Sequence, residues 1–135
     1  MNNGTISNNS TYRTSGQGSY GAGVYVADYA NSSGGDTLFT ATPASFEMNG
    51  GKITENKALD YGGGVVTFPQ YSKKITININ NGEISGNKVT EGSGGAVGSG
   101  GAVAAFFGVT ELNIKDGTLT GNSARSYGGG VFLYD

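Results

Sequence analysis

The chain has 135 residues and a formal net charge of −2, and its length suits a single domain. Cysteine and histidine are both absent, which excludes disulfides, thiol and imidazole nucleophiles and the common zinc sites. No basic patch stands out and the longest apolar stretch is too short to span a bilayer, so we expect no nucleic-acid partner and no direct membrane insertion.

A short motif begins at Met1 and recurs along the chain. It reads apolar, polar, turn residue, Gly, variable, Ile or Leu, Ser or Thr, variable, Asn. The four copies occupy 1–9, 48–56, 79–87 and 114–122, at spacings of 47, 31 and 35 residues. Glycine-rich chains are often disordered, but apolar residues at fixed places in a repeat favour a packed repeat protein.

Each copy predicts a tight turn between two strands. The strand before the turn is clearest at 75–79, where isoleucine alternates with polar residues. The glycine of the motif permits the positive φ of the turn. In the second strand the Ile or Leu points inward and its Ser or Thr neighbour points outward. The inward residues form a predicted ladder of Ile6, Ile53, Ile84 and Leu119.

A second motif, Tyr-Gly-x-Gly-Val, predicts a turn into a third strand such as 65–68. Its copies are 20–24, 61–65 and 127–131, and Gly94–Val97 or Gly100–Val103 takes its place in the third repeat. Stacked repeats give two more interior ladders. The first is Met1, Met48, Ile79 and Ile114; the second is Val24, Val65, Val131 and either Val97 or Val103. The least repetitive segment, 27–45, is interpreted as an insertion within the first coil.

Three strands in about 31 residues predict an all-β fold with almost no helix. The fold is a single-stranded parallel β-helix, a solenoid of about four coils of three short strands. A β-sandwich or a disordered linker is the alternative, but neither needs so regular a repeat. Residues 1–135 form one domain. Because Met1 falls inside the first motif, we expect a fragment of a longer solenoid, or open ends that associate end to end.

The glycine motif resembles the right-handed parallel β-helix repeats of large bacterial surface proteins, namely polymorphic membrane proteins and autotransporter adhesins. Gly94–Val97 and Gly100–Val103 match their Gly-Gly-Ala-apolar pattern, and 62–65 and 128–131 match it with Gly for Ala. In the accompanying Phe-x-x-Asn pattern, Ile or Leu stands in place of Phe. The resemblance covers nearly all of the chain except the insertion. It implies a right-handed coil, a cell-surface or secreted location and a structural or adhesive function.

Two columns of polar residues are candidate sites. The asparagines Asn9, Asn56, Asn87 and Asn122 are interpreted as a structural ladder that satisfies backbone groups at a turn, with a ligand or metal ladder as the alternative. The tyrosines Tyr20, Tyr61 and Tyr127 are candidate ligand-binding residues, since stacked exposed rings bind sugar rings face-on. They can equally pack on one another at a corner of the coil, and Ser93 or Ser99 interrupts the column.

The carboxylates are scattered, and Glu55 and Asp60 come closest to a pair, with Arg13 and Arg125 able to face such a groove. Nothing fixes them as a site, so we predict no catalytic residues, no metal and no cofactor. The outward column Ser7, Thr54, Ser85 and Thr120 suggests an ice-binding face, but Lys52 and Glu83 spoil its flatness. The expected partners are host or bacterial surface glycans or proteins. The alternatives are a carbohydrate-binding or polysaccharide-degrading protein and a self-assembling filament subunit.

Overall fold

The computed structural model describes residues 1–12, 19–30, 41–68, 74–91, 100–106 and 110–134. Within these ranges the chain forms β-strands and no helix, as the sequence predicts. The strands are β1 (Thr5–Ser7), β2 (Val24–Ala27), β3 (Tyr29–Ala30), β4 (Ala41–Thr42), β5 (Ser45–Met48), β6 (Lys52–Thr54), β7 (Lys57–Ala58), β8 (Val65–Phe68), β9 (Ile75–Ile79), β10 (Glu83–Ser85), β11 (Lys88–Val89), β12 (Val103–Phe106), β13 (Thr110–Ile114), β14 (Thr118–Thr120), β15 (Ser123–Ala124) and β16 (Val131–Tyr134).

Equivalent strands of successive repeats pair in parallel and form four sheets. Sheet 1 has the order β5-β9-β13, and sheet 2 has the order β1-β6-β10-β14. Sheet 3 has the order β7-β11-β15, and sheet 4 has the order β2-β8-β12-β16. Consecutive strands of the chain lie in different sheets, while each strand pairs with its counterpart one repeat away. The arrangement is therefore β-solenoid-like, which confirms the prediction of an all-β chain built from parallel sheets.

The prediction of three strands per repeat was wrong, because the later repeats each contribute four. The additional strand is the one in sheet 3, and each of its members is only two residues long, as at Lys57–Ala58 and Lys88–Val89. Two residues cannot display an alternating pattern, so the periodicity of the sequence does not reveal this strand. Ala58 and Val89 nevertheless point inward and are buried together in a small apolar cluster.

The predicted interior ladders are in register. Ile53 lies opposite Ile6 on one side and Ile84 on the other, and Ile84 lies opposite Leu119. Ile53 and Ile84 are fully buried, whereas the outer two members are partly exposed. The valine ladder runs through Val24, Val65, Val103 and Val131, so Val103 is the member from the third repeat, while Val97 lies outside the described residues. The remaining ladder aligns Met48 with Ile79 and Ile79 with Ile114, and Met1 packs against the same core. Ile114 was predicted to be interior but is 42% exposed, because no further strand pairs with β13 among the described residues.

Asparagine side chains form a hydrogen-bonded column in the interior. The Oδ1 atom of Asn87 accepts hydrogen bonds from the backbone N–H of Asn56 at 3.0 Å and from its Nδ2 at 2.9 Å. The Nδ2 atom of Asn87 donates to the carbonyl oxygen of Ile53 at 2.8 Å and to Oδ1 of Asn122 at 3.0 Å. Asn9 and Asn56 are joined in the same way. Because these bonds replace those to water, the amides of Asn56 and Asn87 can be fully buried.

The corner before each asparagine requires a left-handed backbone. The four equivalent residues are Asn8, Glu55, Gly86 and Gly121, and their φ angles lie between 56° and 62°. Glycine adopts this conformation without a steric cost, and asparagine tolerates it better than most residues. Glu55 has neither advantage, so the second repeat holds a strained residue at a corner where two later repeats have glycine.

The predicted insertion, 27–45, begins at the last residue of β2 and ends at the first residue of β5. Within it β3 and β4 pair antiparallel, with Tyr29 opposite Thr42 and Ala30 opposite Ala41. Residues 31–40 lie outside the described part of the chain. Asp28, which precedes β3, is almost fully buried. The insertion therefore contains the one antiparallel pairing among the described strands.

Candidate functional site

The tyrosines of the second motif are positioned by the glycine that follows them. The φ angle is +59° at Gly21 and +62° at Gly62. A Cβ atom at Gly62 would lie only 2.3 Å from Cβ of Val66, so the backbone passes too close to the strand for any other residue. This close approach carries the chain over the outer face of β8 and leaves the Tyr61 ring packed there.

The outer face of sheet 4 has an apolar cluster of its own. Val65 belongs to the interior core, and Val66, the next residue, belongs to a second cluster with Ala104 and Phe106. Successive side chains of a strand point to opposite faces, so the second cluster lies on the outside of the sheet. Val66 and Ala104 are nevertheless fully buried, because aromatic rings cover them. These rings belong to Tyr20, Tyr61 and Phe132.

Ring-to-ring contacts extend this cluster into one surface that we call the aromatic strip. The strip consists of Tyr20, Tyr25, Tyr61, Phe68, Phe106, Tyr127, Phe132 and Tyr134. Neighbouring ring centroids lie between 4.7 and 6.2 Å apart. Centroids at these distances are typical of favourable aromatic pairs. Because its members come from every repeat, the strip runs across the strands, in the direction in which the repeats stack.

The structure brings two of the three predicted tyrosines together. The rings of Tyr20 and Tyr61 stack at 5.2 Å with an interplanar angle of 14°, and their backbones form a parallel bridge. Tyr127 does not join them, and its 57% exposed ring stacks on Phe132 at 6.0 Å. Phe106 lies between, since it contacts Tyr61 at 4.7 Å and Phe132 at 5.6 Å. The tyrosine column is thus continuous only through phenylalanines that the sequence analysis did not single out.

Those additional rings had a positional signal in the sequence. Tyr25 and Phe132 are each the fifth residue after a motif tyrosine. Phe68 and Tyr134 are each the seventh residue after one. Because Val66 and Ala104 replace the fifth-position ring in the middle repeats, the pattern is broken where it would be most visible. Ser93 and Ser99, the candidate counterparts in the third repeat, lie outside the described residues.

A cleft opens at the end of the aromatic strip that lies in the first repeat. It has a volume of about 320 Å³ and is lined by Thr11, Tyr12, Ser19, Tyr20 and Tyr25. The Tyr12 ring is 86% exposed and the Tyr25 ring is 45% exposed. Three phenol rings thus line one shallow, open surface, and the hydroxyl of Ser19 donates a hydrogen bond to that of Thr11. A ligand with flat apolar faces and polar edges suits such a lining.

Two of the cleft phenols are held in their neutral form. Burial raises the pKa of Tyr20 above its usual value, and the nearby Tyr61 and Asp60 add to this shift. Burial also raises the pKa of Tyr25, with smaller contributions from Tyr20 and Asp28. A phenol is protonated at neutral pH even at its ordinary pKa of about 10, and each of these hydroxyls can donate a hydrogen bond to a ligand oxygen.

The carboxylates considered for catalysis occupy different environments. Asp60 is fully buried, and its Oδ2 accepts a hydrogen bond from the backbone N–H of Ser19 at 2.9 Å. This bond fixes the start of the segment that carries Tyr20. Glu55 is exposed at the strained corner, and Arg125 is also exposed. Arg13 lies outside the described residues. Asp60 therefore has a structural partner.

Two features common to functional sites are not found in the part of the chain that the structure describes. It contains no group of three or more acidic, histidine or cysteine side chains arranged to hold a metal ion. It also contains no helix with the length and apolarity needed to cross a membrane. No family model, no curated protein and no solved structure matches the chain.

Proposed function

We propose that the chain is a right-handed single-stranded parallel β-helix of about four coils that serves as a structural and adhesive module of an extracellular bacterial surface protein. The observation that supports this most is the constant register of the outward columns. In sheet 2, the outward residues Thr5, Lys52, Glu83 and Thr118 follow one another directly. Neighbouring strands lie about 4.8 Å apart, so equivalent side chains form rows along the surface.

The inward and outward faces of the strands differ in composition, and this difference supports a function in which the outward face displays recognition residues. Inward positions such as Ile53 and Ile84 repeat the same residue type, and they fill the core. Outward positions change from one repeat to the next without disturbing it. A solenoid built in this way can carry recognition residues on its surface while its stability depends on its interior. The proposal involves no catalytic reaction.

Cell-surface location is tested by labelling intact bacteria that produce the protein. A membrane-impermeant amine reagent should modify Lys52 and Lys74, whose side chains are 60% and 63% exposed. A cytoplasmic protein labelled only after lysis serves as the control. Labelling of this chain only after lysis would contradict the extracellular assignment.

Adhesion is tested with beads that carry the purified chain and with a panel of immobilised glycans and matrix proteins. We expect the beads to be retained, and retention should fall when Tyr25 is replaced by alanine. Turnover of a polysaccharide by the purified chain would contradict a purely adhesive module and would favour a β-helix enzyme.

The cleft at Tyr12, Tyr20 and Tyr25 favours carbohydrate binding as a second candidate function. Sugar rings present apolar faces that stack on phenol rings, and their hydroxyls can pair with the phenol hydroxyls of Tyr20 and Tyr25. On a glycan array, Tyr12→Ala and Tyr25→Ala should each abolish a signal given by the parent chain. Tyr127→Ala is the matched control at the other end of the strip. If Tyr127→Ala reduces binding as strongly, the ligand does not bind in the cleft.

A further inference from the structure

Two lysines lie directly opposite each other in sheet 3. Lys57 in β7 pairs in register with Lys88 in β11, and both residues are exposed. Like charges placed opposite each other on neighbouring strands repel and destabilise a sheet. Among the described residues, neither lysine forms an ion pair. The pairing therefore opposes folding unless an anionic group neutralises it.

Elsewhere the same repeats place opposite charges together. Lys52 in β6 lies opposite Glu83 in β10, and their charged groups are 2.9 Å apart. Lys74, the residue before β9, forms an ion pair with Glu111 in β13. The chain carries more acidic than basic residues, 10 against 8, so carboxylates are not scarce. The like-charge pair in sheet 3 is thus a local departure from the pattern of the other columns.

The positions on either side of the two lysines are also hydrogen-bond donors. Ser10 forms a parallel bridge with Lys57, and Ser123 lies opposite Lys88. We call the row formed by Ser10, Lys57, Lys88 and Ser123 the basic column. It holds no carboxylate in any repeat. The nearest acids along the chain are Glu55, two residues before Lys57, and Glu91, three residues after Lys88.

A second feature of this surface is a cleft beside the column. Its volume is about 390 Å³, and its polar lining comes from Lys88, Thr90, Ser123 and Arg125. Arg125 adds a third cation and is exposed. A guanidinium group pairs with the two oxygens of a carboxylate or a sulfate in a planar geometry. The cleft therefore combines two cations with the Ser123 hydroxyl, while the Thr90 hydroxyl donates to the carbonyl oxygen of Ala58 and remains able to accept a hydrogen bond.

We propose that the basic column and its cleft bind an anionic polysaccharide, with sugar carboxylates or sulfates lying along the row of lysines. A polymer with one acidic group per sugar presents charges in a line, as the column does. The serine and threonine hydroxyls provide partners for sugar hydroxyls. Nucleic acid is less suited, because it requires an extended basic surface, and this chain is acidic overall. The inference rests on the proposed adhesive function for its extracellular setting and names the charge class of the partner.

The test is fluorescence anisotropy with labelled oligogalacturonate and sulfated dextran as probes and neutral dextran as the reference. The purified chain should bind both acidic probes and not the neutral one. The double variant Lys57→Gln, Lys88→Gln should weaken binding by about tenfold or more, because both charges contact the ligand. Binding should also weaken as salt is added, since exposed charges are screened.

The matched control is the double variant Lys52→Gln, Lys74→Gln, which removes the same net charge from lysines that already have acidic partners. It should change affinity by no more than about twofold, as expected for long-range effects alone. The variant Lys57→Arg, Lys88→Arg should retain binding, because it keeps the charges. Circular dichroism melting of each variant establishes that it is folded.

Three results would overturn the inference. Equal losses in the two glutamine double variants would show that only net charge matters. Tighter binding of a single-stranded DNA oligomer than of either acidic glycan would assign the site to nucleic acid. If inorganic sulfate displaced the probe at an equal concentration of negative charge, the site would bind any small anion and would not be specific for a polysaccharide. Failure of the adhesive function is distinguishable, because beads could then fail to adhere while the chain still bound the soluble acidic probes.

Discussion

The interior columns and the outward columns of the same strands follow different rules. Along the interior, Ile53 and Ile84 occupy equivalent positions, and Asn56 and Asn87 do the same one corner later. On the outside, Lys52 faces Glu83, whereas Lys57 faces Lys88. An interior side chain must fit its neighbours above and below, because close packing leaves no room for a change of shape. An outward side chain meets solvent, so its identity can serve recognition.

The largest expected effect comes from breaking the interior column at Asn87. The Asn87→Ala change removes the acceptor for the Asn56 N–H and the donor for the Ile53 carbonyl, both in a buried region. Leaving these groups unsatisfied should lower the free energy of unfolding by about 3 kcal/mol. Urea denaturation followed by circular dichroism measures it.

The matched control for that change is an exposed asparagine whose Nδ2 also donates two hydrogen bonds. Asn113 donates from Nδ2 to Asn78 and Glu111 on the surface of sheet 1. Because water can replace both bonds, Asn113→Ala should cost less than about 0.5 kcal/mol. Similar losses from the two substitutions would mean that burial of the asparagine column is not what makes it stabilising.

A smaller effect is expected at the left-handed corner. Glu55→Gly should stabilise the chain by about 1 kcal/mol, because glycine removes the steric cost of a positive φ. Gly86→Ala tests the same corner in reverse. A Cβ at Gly86 would meet no atom closer than 3.5 Å, so its cost of about 1 kcal/mol should come from the backbone alone. Thermal melting should show a higher melting temperature for Glu55→Gly and a lower one for Gly86→Ala than for the parent chain. A destabilised Glu55→Gly variant would show that the glutamate makes a contact worth more than the strain.

Substitutions of the outward lysines should change the free energy of unfolding still less. Replacing Lys57 should stabilise the chain, whereas replacing Lys52 should destabilise it. Lys57→Gln should raise the free energy of unfolding by about 0.5 kcal/mol, because it relieves the repulsion with Lys88. Lys52→Gln should lower it slightly, because it breaks the exposed pair with Glu83. Both differences should shrink near 1 M salt, where screening over about 3 Å is effective. If Lys57→Gln is destabilising at low salt, the two lysines do not repel in the folded chain.

The smallest effect concerns the dependence of stability on pH. The hydrogen bond from Ser85 lowers the pKa of Glu83, and the hydrogen bond and charge of Lys52 lower it further. A carboxyl whose pKa is lower in the folded chain adds stability above its unfolded value, and this is lost as the pH falls through the folded value. The melting temperatures of the parent and Glu83→Gln chains should therefore differ near pH 7 and converge below about pH 4.5. A constant difference across this range would mean that ionisation of Glu83 does not contribute.

The fold was more predictable than the candidate sites because it depends on repetition. The spacing of Ile53 and Ile84 was sufficient to predict that they stack, and their register confirms it. The strand Lys57–Ala58 was missed because two residues carry no periodicity. With it the pairing of Lys57 and Lys88 was missed as well. The aromatic strip was seen only in part, since phenylalanines from strands continue a column that the motif tyrosines begin.

The sequence by itself determined the parallel stacking of repeats, the inward Ile and Val ladders and the alignment of the asparagines. Each follows because the same residue type occupies the same position within successive copies of a motif. Only the tertiary structure decided which side chains from non-equivalent positions of the repeat come into contact. It brought Phe106 between Tyr61 and Phe132, and it placed Arg125 beside Lys88. The physical reason is that hydrogen bonds pair each strand with its equivalent in the next repeat, so these contacts follow from the motif. Contacts between non-equivalent positions depend on how the chain turns at each corner and on where a glycine lets the backbone approach a neighbouring strand.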